Sequence, residues 1–132
     1  MGCLGVISSN LLLQGCAGTH YLSGQIEGSF LSINKDAFLN EHKGYLNHVV
    51  IHNDALQYPI AVFRFNSNLY NALLMRCTHQ GTELQVFGDR LQCLAHGSEF
   101  TKSGNVQNGP ADAALRSFPV IKELKTLKID LS

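Results

Sequence analysis

The chain has 132 residues, 45% of them hydrophobic and 15% charged, a composition that suits one domain with a hydrophobic core and excludes a disordered chain. Ten Lys and Arg balance ten Asp and Glu, so charge gives no footprint for nucleic acid and no such partner is expected. No run of like charges marks an interaction tail or a membrane-surface helix.

Residues 1–15 read MGCLGVISSNLLLQG and carry no charge. Ser8, Ser9 and Asn10 break the apolar stretch, which falls short of the roughly 20 residues that span a bilayer. Leu13-Gln14-Gly15-Cys16 resembles a bacterial lipobox, the signal that precedes a lipid-modified cysteine. Residues 1–15 therefore read as a lipoprotein signal segment and Cys16 as the lipidation site. Residues 16–28, with Ser23, Gly24 and Gln25, read as a short tether. The segment lacks the Lys or Arg that opens most signal peptides and has no twin-arginine pair. Met1-Gly2-Cys3 does not complete a myristoylation motif, because Val6 stands where Ser or Thr is needed. A lipid at Cys16 predicts a bacterial cell-envelope protein facing the periplasm or cell exterior. Without it, the cytoplasm is expected.

Short β-type runs separated by turn residues follow, the pattern of a small all-β sandwich or barrel. The strands predicted are Ser29–Ile33, His48–His52, Ile60–Phe65, Tyr70–Arg76, Glu83–Phe87, Arg90–Leu94, Ser117–Ile121 and Thr126–Leu131. Between the first two, Asp36 reads as the N-cap of one or two helical turns reaching His42. Pro59 can begin a strand, and Asn66-Ser67-Asn68 is a turn. Gly88-Asp89 makes Glu83–Leu94 a β-hairpin. The tail, with Leu124, Leu127, Ile129 and Leu131, reads as an edge strand. Residues 29–132 are taken as one domain.

Four cysteines are present: Cys3, Cys16, Cys77 and Cys93. The first two lie in the leader, while Cys77 and Cys93 each have a histidine two or three residues on, which argues for metal binding over a disulfide framework. The motifs are Cys77-Thr78-His79, followed by Gln80-Gly81, and Cys93-Leu94-Ala95-His96, followed by Gly97-Ser98. The predicted hairpin lies between them and would return both pairs to one end of the sheet. Two thiolates and two imidazoles suit zinc or an iron–sulfur centre. The common zinc arrangement puts both cysteines in one loop and both histidines on a helix. Here each loop offers one Cys and one His, the mixture a two-iron cluster needs if Cys77 and Cys93 bind one iron and His79 and His96 the other. His20, His42, His48 and His52 have no cysteine at a ligand spacing and read as packing or surface residues.

The segment RCTHQGTELQVFGDRLQCLAHGSEF resembles the Rieske family, whose pattern is Cys-x-His, a variable loop, then Cys-x-x-His. The resemblance runs from about Pro59 to Leu131. It implies a small antiparallel β domain of Rieske type. A cluster-binding hairpin-loop part, about 74–112, would sit at one end and hold one [2Fe–2S] cluster per chain. It also implies histidines at the surface, facing the electron donor or acceptor. Gly109-Pro110 resembles the proline-containing loop that covers the cluster in cytochrome bc complexes. The resemblance implies that Ser98, after Gly97, donates a hydrogen bond to a cluster sulfide. Phe100 stands where bc-type proteins carry a tyrosine that donates to a ligand cysteine. Thr82 and Ala95 stand where they carry two disulfide-forming cysteines.

One-electron transfer is the function expected. The leading expectation is a membrane-tethered respiratory carrier or oxidoreductase subunit, meeting a redox partner protein or a quinol or cytochrome complex. A soluble ferredoxin feeding an oxygenase is the second, and a structural zinc protein the third. No separate substrate chemistry is visible, so an enzyme acting alone is not expected. The length leaves no room for an oxygenase's catalytic domain with its 2-His-1-carboxylate iron.

Overall fold

The computed structural model describes residues 19–132; the segment 1–15 and Cys16 lie outside them. In chain order the strands are β1 (Tyr21–Ser23), β2 (Gln25–Glu27), β3 (Phe30–Asn34), β4 (His48–His52), β5 (Ile60–Asn66), β6 (Leu69–Leu74) and β7 (Gln85–Phe87). They continue with β8 (Arg90–Gln92), β9 (Glu99–Thr101), β10 (Val106–Asn108), β11 (Ser117–Phe118), β12 (Val120–Lys122) and β13 (Thr126–Asp130). Among the described residues no helix is long and apolar enough to cross a membrane.

A five-stranded sheet, β1-β4-β5-β6-β11, forms the middle of the molecule. Its pairs are antiparallel except β1 with β4. Val49, Ile51, Ile60, Val62 and Ala72 point to one face and pack with Leu31, Ile33, Leu127 and Ile129 of the sheet β12-β13-β3-β2. The intervening Val50, Ala61, Phe63 and Leu73 point to the other and pack with Val86, Leu91 and Phe100 of the sheet β10-β9-β8-β7. Burial on both faces is why Val49–Ile51 and Ile60–Phe63 are unbroken apolar runs, whereas β13 alternates.

The all-β expectation holds, with corrections in detail. Tyr21–Ser23 and Gln25–Glu27, in the stretch read as a tether, are strands: β1 pairs with β4 and β2 with β3. At three residues each, only Leu22 and Ile26 tuck inward, too short a pattern to register. Ser117–Ile121 is two strands in two sheets, β11 on β6 and β12 on β13. They divide at Pro119, which has no N–H for a ladder. The tail is not an edge: β13 lies between β12 and β3, its Leu127 and Ile129 fully buried. The helical turn is a 3-10 helix, Lys35–Phe38, capped by Asn34 rather than Asp36. Asn34 Oδ1 accepts the Asp36 N–H at 2.8 Å, and Glu41 lies beyond its end.

Strand directions fix two ends of the middle sheet. Ile60, Leu74 and Ile51 lie at one end, Arg64, Tyr70 and His48 at the other. The first end leads directly into Cys77.

Candidate metal centre

Each cysteine opens a loop of the same build. The Cys77 N–H donates to Thr82 O, and the Gly81 N–H returns to Cys77 O, both at 2.8 Å. The Cys93 N–H donates to Ser98 O, and the Gly97 N–H returns to Cys93 O, again at 2.8 Å. Gly81 and Gly97 both follow their cysteine by four residues, with φ +79° and +86°. That left-handed conformation is costly for a residue with a Cβ. The sequence pattern Cys-x-x-x-Gly-Thr/Ser is therefore a loop code, with the histidine placed differently in each copy.

The hairpin between the loops forms as expected. Phe87 pairs with Arg90 across Gly88-Asp89, and Gly88 has φ +63°, a value suited to glycine at the first position of a two-residue loop. Its return brings the second loop beside the first. Cys77 and Cys93 lie fully inside, in one apolar cluster with Met75, Leu84 and Phe100. His79 and His96 are exposed, their ring centroids 5.0 Å apart and their planes at 86°. The four side chains thus come as a buried thiol pair and a surface imidazole pair.

Burial pushes the Cys93 thiol pKa up, but the backbone N–H groups of His96 and Ala95, the Cys77 thiol and the Thr82 hydroxyl outweigh it. The net shift is downward, which favours the thiolate that binds metal.

Neighbouring segments hold the loops. Tyr58, before β5, donates its hydroxyl to Gly81 O at 2.7 Å. Asn108 donates to Gly97 O at 3.1 Å. The segment after Gly109-Pro110 reaches both loops: the Ala111 N–H donates to Ser98 Oγ at 3.0 Å, and Thr78 Oγ1 donates to Ala113 O at 2.6 Å. Gly109 and Pro110 are exposed and joined by a cis peptide. Cys77 and Cys93 form no disulfide, and the strap at 111–113 ties the two loops through its bonds to Ser98 and Thr78. Ser98 and Phe100 are both fully buried. Tyr58, Thr78 and Asn108 escape sequence reasoning, because ordinary polar residues reveal such bonds only once the fold sets their partners. Of the other histidines, His52 stacks on Tyr21, His48 lies against Phe63, and His42 lies beside Glu41.

A [2Fe–2S] cluster needs two pairs of ligands, soft thiolates for one iron and imidazoles for the other in the Rieske form. The donor set here fits that division. Residues 39–119 match the family model of the Rieske [2Fe-2S] domain. The chain belongs to that family and binds a [2Fe–2S] cluster. Its biochemical role is electron transfer. No curated protein matches the chain.

Among solved structures, it is similar to the plasma membrane Rieske protein PetC3 of Synechocystis PCC 6803. Identity is 23%, coverage 64% of this chain and 86% of that one, and TM-score 0.55. A chain of the complex of reduced oxygenase and oxidized ferredoxin in carbazole 1,9a-dioxygenase is 18% identical. That match covers 79% of this chain and 94% of the other, with TM-score 0.57. The apo quaternary ammonium Rieske monooxygenase CntA is 16% identical, with TM-score 0.60, and this chain spans 33% of its length. These likenesses support the fold.

Proposed function

We propose that Cys77 and Cys93 bind the inner iron of the cluster and His79 and His96 the outer one. The chain would then work as a one-electron carrier tethered to the cell envelope through a lipid on Cys16. The observation that carries the ligand assignment is the division into buried thiols and paired, exposed imidazoles. When bound, the cluster supplies a one-electron redox couple. The chain's residues keep water from the thiols, lock both loops by backbone bonds, and leave the imidazole edges open to a protein partner. The resemblance of Leu13-Gln14-Gly15-Cys16 to a lipobox supports the tether, and an envelope protein facing the periplasm or cell exterior is the setting it suits.

Thr82 and Ala95, in place of disulfide cysteines, favour a second reading as a soluble ferredoxin donating to an oxygenase. Two measurements test these readings. Iron and sulfide analysis of the anaerobically purified protein should give two of each per chain, both lost in Cys93→Ser; stoichiometric zinc without iron overturns the ligand assignment. Mass spectrometry of native protein should show an acylated Cys16 at the mature N-terminus. An unmodified Cys16 with residues 1–15 attached, in a soluble fraction, leaves the ferredoxin reading.

A further inference from the structure

We infer that the end of the molecule remote from the metal centre docks on anionic phospholipid, with a lipid phosphate in the cavity that Lys35, Arg64 and Lys125 line. The inference deepens the envelope reading above and rests on it. The cavity has a volume of about 310 Å³. Its lining carries those three cations against one carboxylate, Asp36. The whole chain has no net charge, so this is a local excess. Among the described residues none of the three cations forms an ion pair. The Arg64 guanidinium lies 3.8 Å from the centre of the Tyr45 ring, and its buried Nε has no hydrogen-bond partner. Stacking on an aromatic face orients the guanidinium while leaving its donors for an anion.

The rim is apolar. Leu124 is 89% exposed at the turn between β12 and β13, and Leu39 and Tyr45 stand out beside it. Cations around exposed aliphatic and aromatic side chains suit the headgroup boundary of an anionic bilayer.

Strand register adds an independent argument. Tyr21 pairs with Val50 in parallel, and Val50 N–H donates to His20 O. The chain before Tyr21 therefore enters beside His48, at the Arg64 end of the sheet. Cys16 precedes His20 by four residues in sequence, so a lipid there would tether the chain by the segment that enters at this end. β5 spans seven residues between this end and the one that leads to Cys77, about 20 Å at roughly 3.3 Å per residue. With the far end on the bilayer, His79 and His96 point into water, where they meet a water-soluble redox protein rather than a quinol within the membrane.

The test uses full-length holoprotein carrying Cys16→Ser, which cannot be acylated there, and its partition onto phosphatidylcholine vesicles with and without phosphatidylglycerol. The apolar leader contributes to both vesicle types alike, so their ratio isolates the charged end. The anionic vesicles should bind at least about tenfold more tightly. Adding Arg64→Gln and Lys125→Gln should bring the ratio close to one. An equal partition at the outset, or a preference that survives the double change, overturns the docking. So does binding of inorganic phosphate alone, read by 31P line broadening lost in the double variant, without any vesicle preference: the cavity is then a soluble anion site. Failure of the tether itself is read separately, from the mass of native Cys16.

Discussion

The rings of His79 and His96 meet edge to face, 5.0 Å between centroids and 86° between planes, although a whole hairpin separates them in sequence. Both are exposed, whereas Cys77 and Cys93, which open the same two loops, are not. The two pairs of donors thus differ sharply in what else they support.

That difference separates cluster loss from fold loss. His79→Ala and His96→Ala alter exposed side chains, so apoprotein stability should move by no more than about 0.5 kcal/mol, while cluster iron falls to background. Cys77→Ser and Cys93→Ser should lose the cluster and also destabilise the apoprotein, because each puts a hydroxyl into the apolar cluster around Phe100. Denaturant titration of the four apoproteins, beside iron analysis, checks this. Histidine variants that retain a full cluster would sink the ligand assignment.

The two loop glycines should not respond equally. Gly81→Ala and Gly97→Ala each force a Cβ into left-handed backbone, at a cost of about 1–2 kcal/mol. A Cβ at Gly97 meets nothing within 4 Å, but at Gly81 it comes within 3.3 Å of Arg76 Nη2 and 3.5 Å of the Tyr58 hydroxyl. The first contact is tighter than an ordinary one, so the Arg76 guanidinium must shift to admit it. Gly81→Ala should therefore lower the unfolding midpoint and cluster retention further than Gly97→Ala. Equal losses would mean that the loops are held by backbone conformation alone.

The centre was legible in sequence because its chemistry is local. Each Cys/His pair and its glycine lie within a few residues, and Gly88-Asp89 between alternating runs announces the hairpin that joins them. Elements set by distant partners were not legible. β1 and β2 are three residues long and exist because β4 and β3 accept them. β9 and β10 give no clear sequence signal for the same reason, with Phe100 the only fully buried side chain among their six residues. The strap at 111–113 follows an exposed glycine and proline and shows itself only as bonds to Ser98 and Thr78.

Stability should fall as pH drops from 7 toward 5. His48 is buried at the start of β4, its pKa lowered first by burial and then by the charge of His20. Its Nδ1 lies 2.6 Å from Asn47 Oδ1, and Nε2 has no partner, an arrangement for neutral imidazole with the proton on Nδ1. The unfolded chain takes up a proton near the ordinary value of 6.5, whereas the folded chain resists until lower pH. Within that window the unfolded state holds more protons, so stability rises with pH. It is fully present above the unfolded value and lost as pH falls through the folded one. His48→Phe should flatten the slope between pH 7 and 5 in chemical denaturation. The lowered carboxyl pKa values of Glu123 and Asp130 act in the more acid carboxylate range. An unchanged slope in His48→Phe would assign the effect elsewhere.

The midpoint potential should lie in the middle of the Rieske range of about −150 to +300 mV. Hydrogen bonds donated to cluster sulfurs stabilise the more negative, reduced state and raise the potential. Ser98 is fully buried, and its Oγ already accepts the Ala111 N–H. Its own hydroxyl proton is therefore free to be donated. Phe100 lies in the same apolar cluster as Cys77 and Cys93 and has no proton to give. One donor of the pair implied by the bc-type resemblance is thus present and one absent. Ser98→Ala should lower the potential, and it also leaves the buried Ala111 N–H without its acceptor, destabilising the fold by about 1–3 kcal/mol. Phe100→Tyr should raise the potential, though the added hydroxyl must enter a closed core at a packing cost of about 1–3 kcal/mol. Protein-film voltammetry on variants shown to retain full iron separates the two effects, since a change in stability alone leaves the potential of the loaded protein in place. A wild-type potential at the top of the range, unmoved by either substitution, would show that these two positions do not set it.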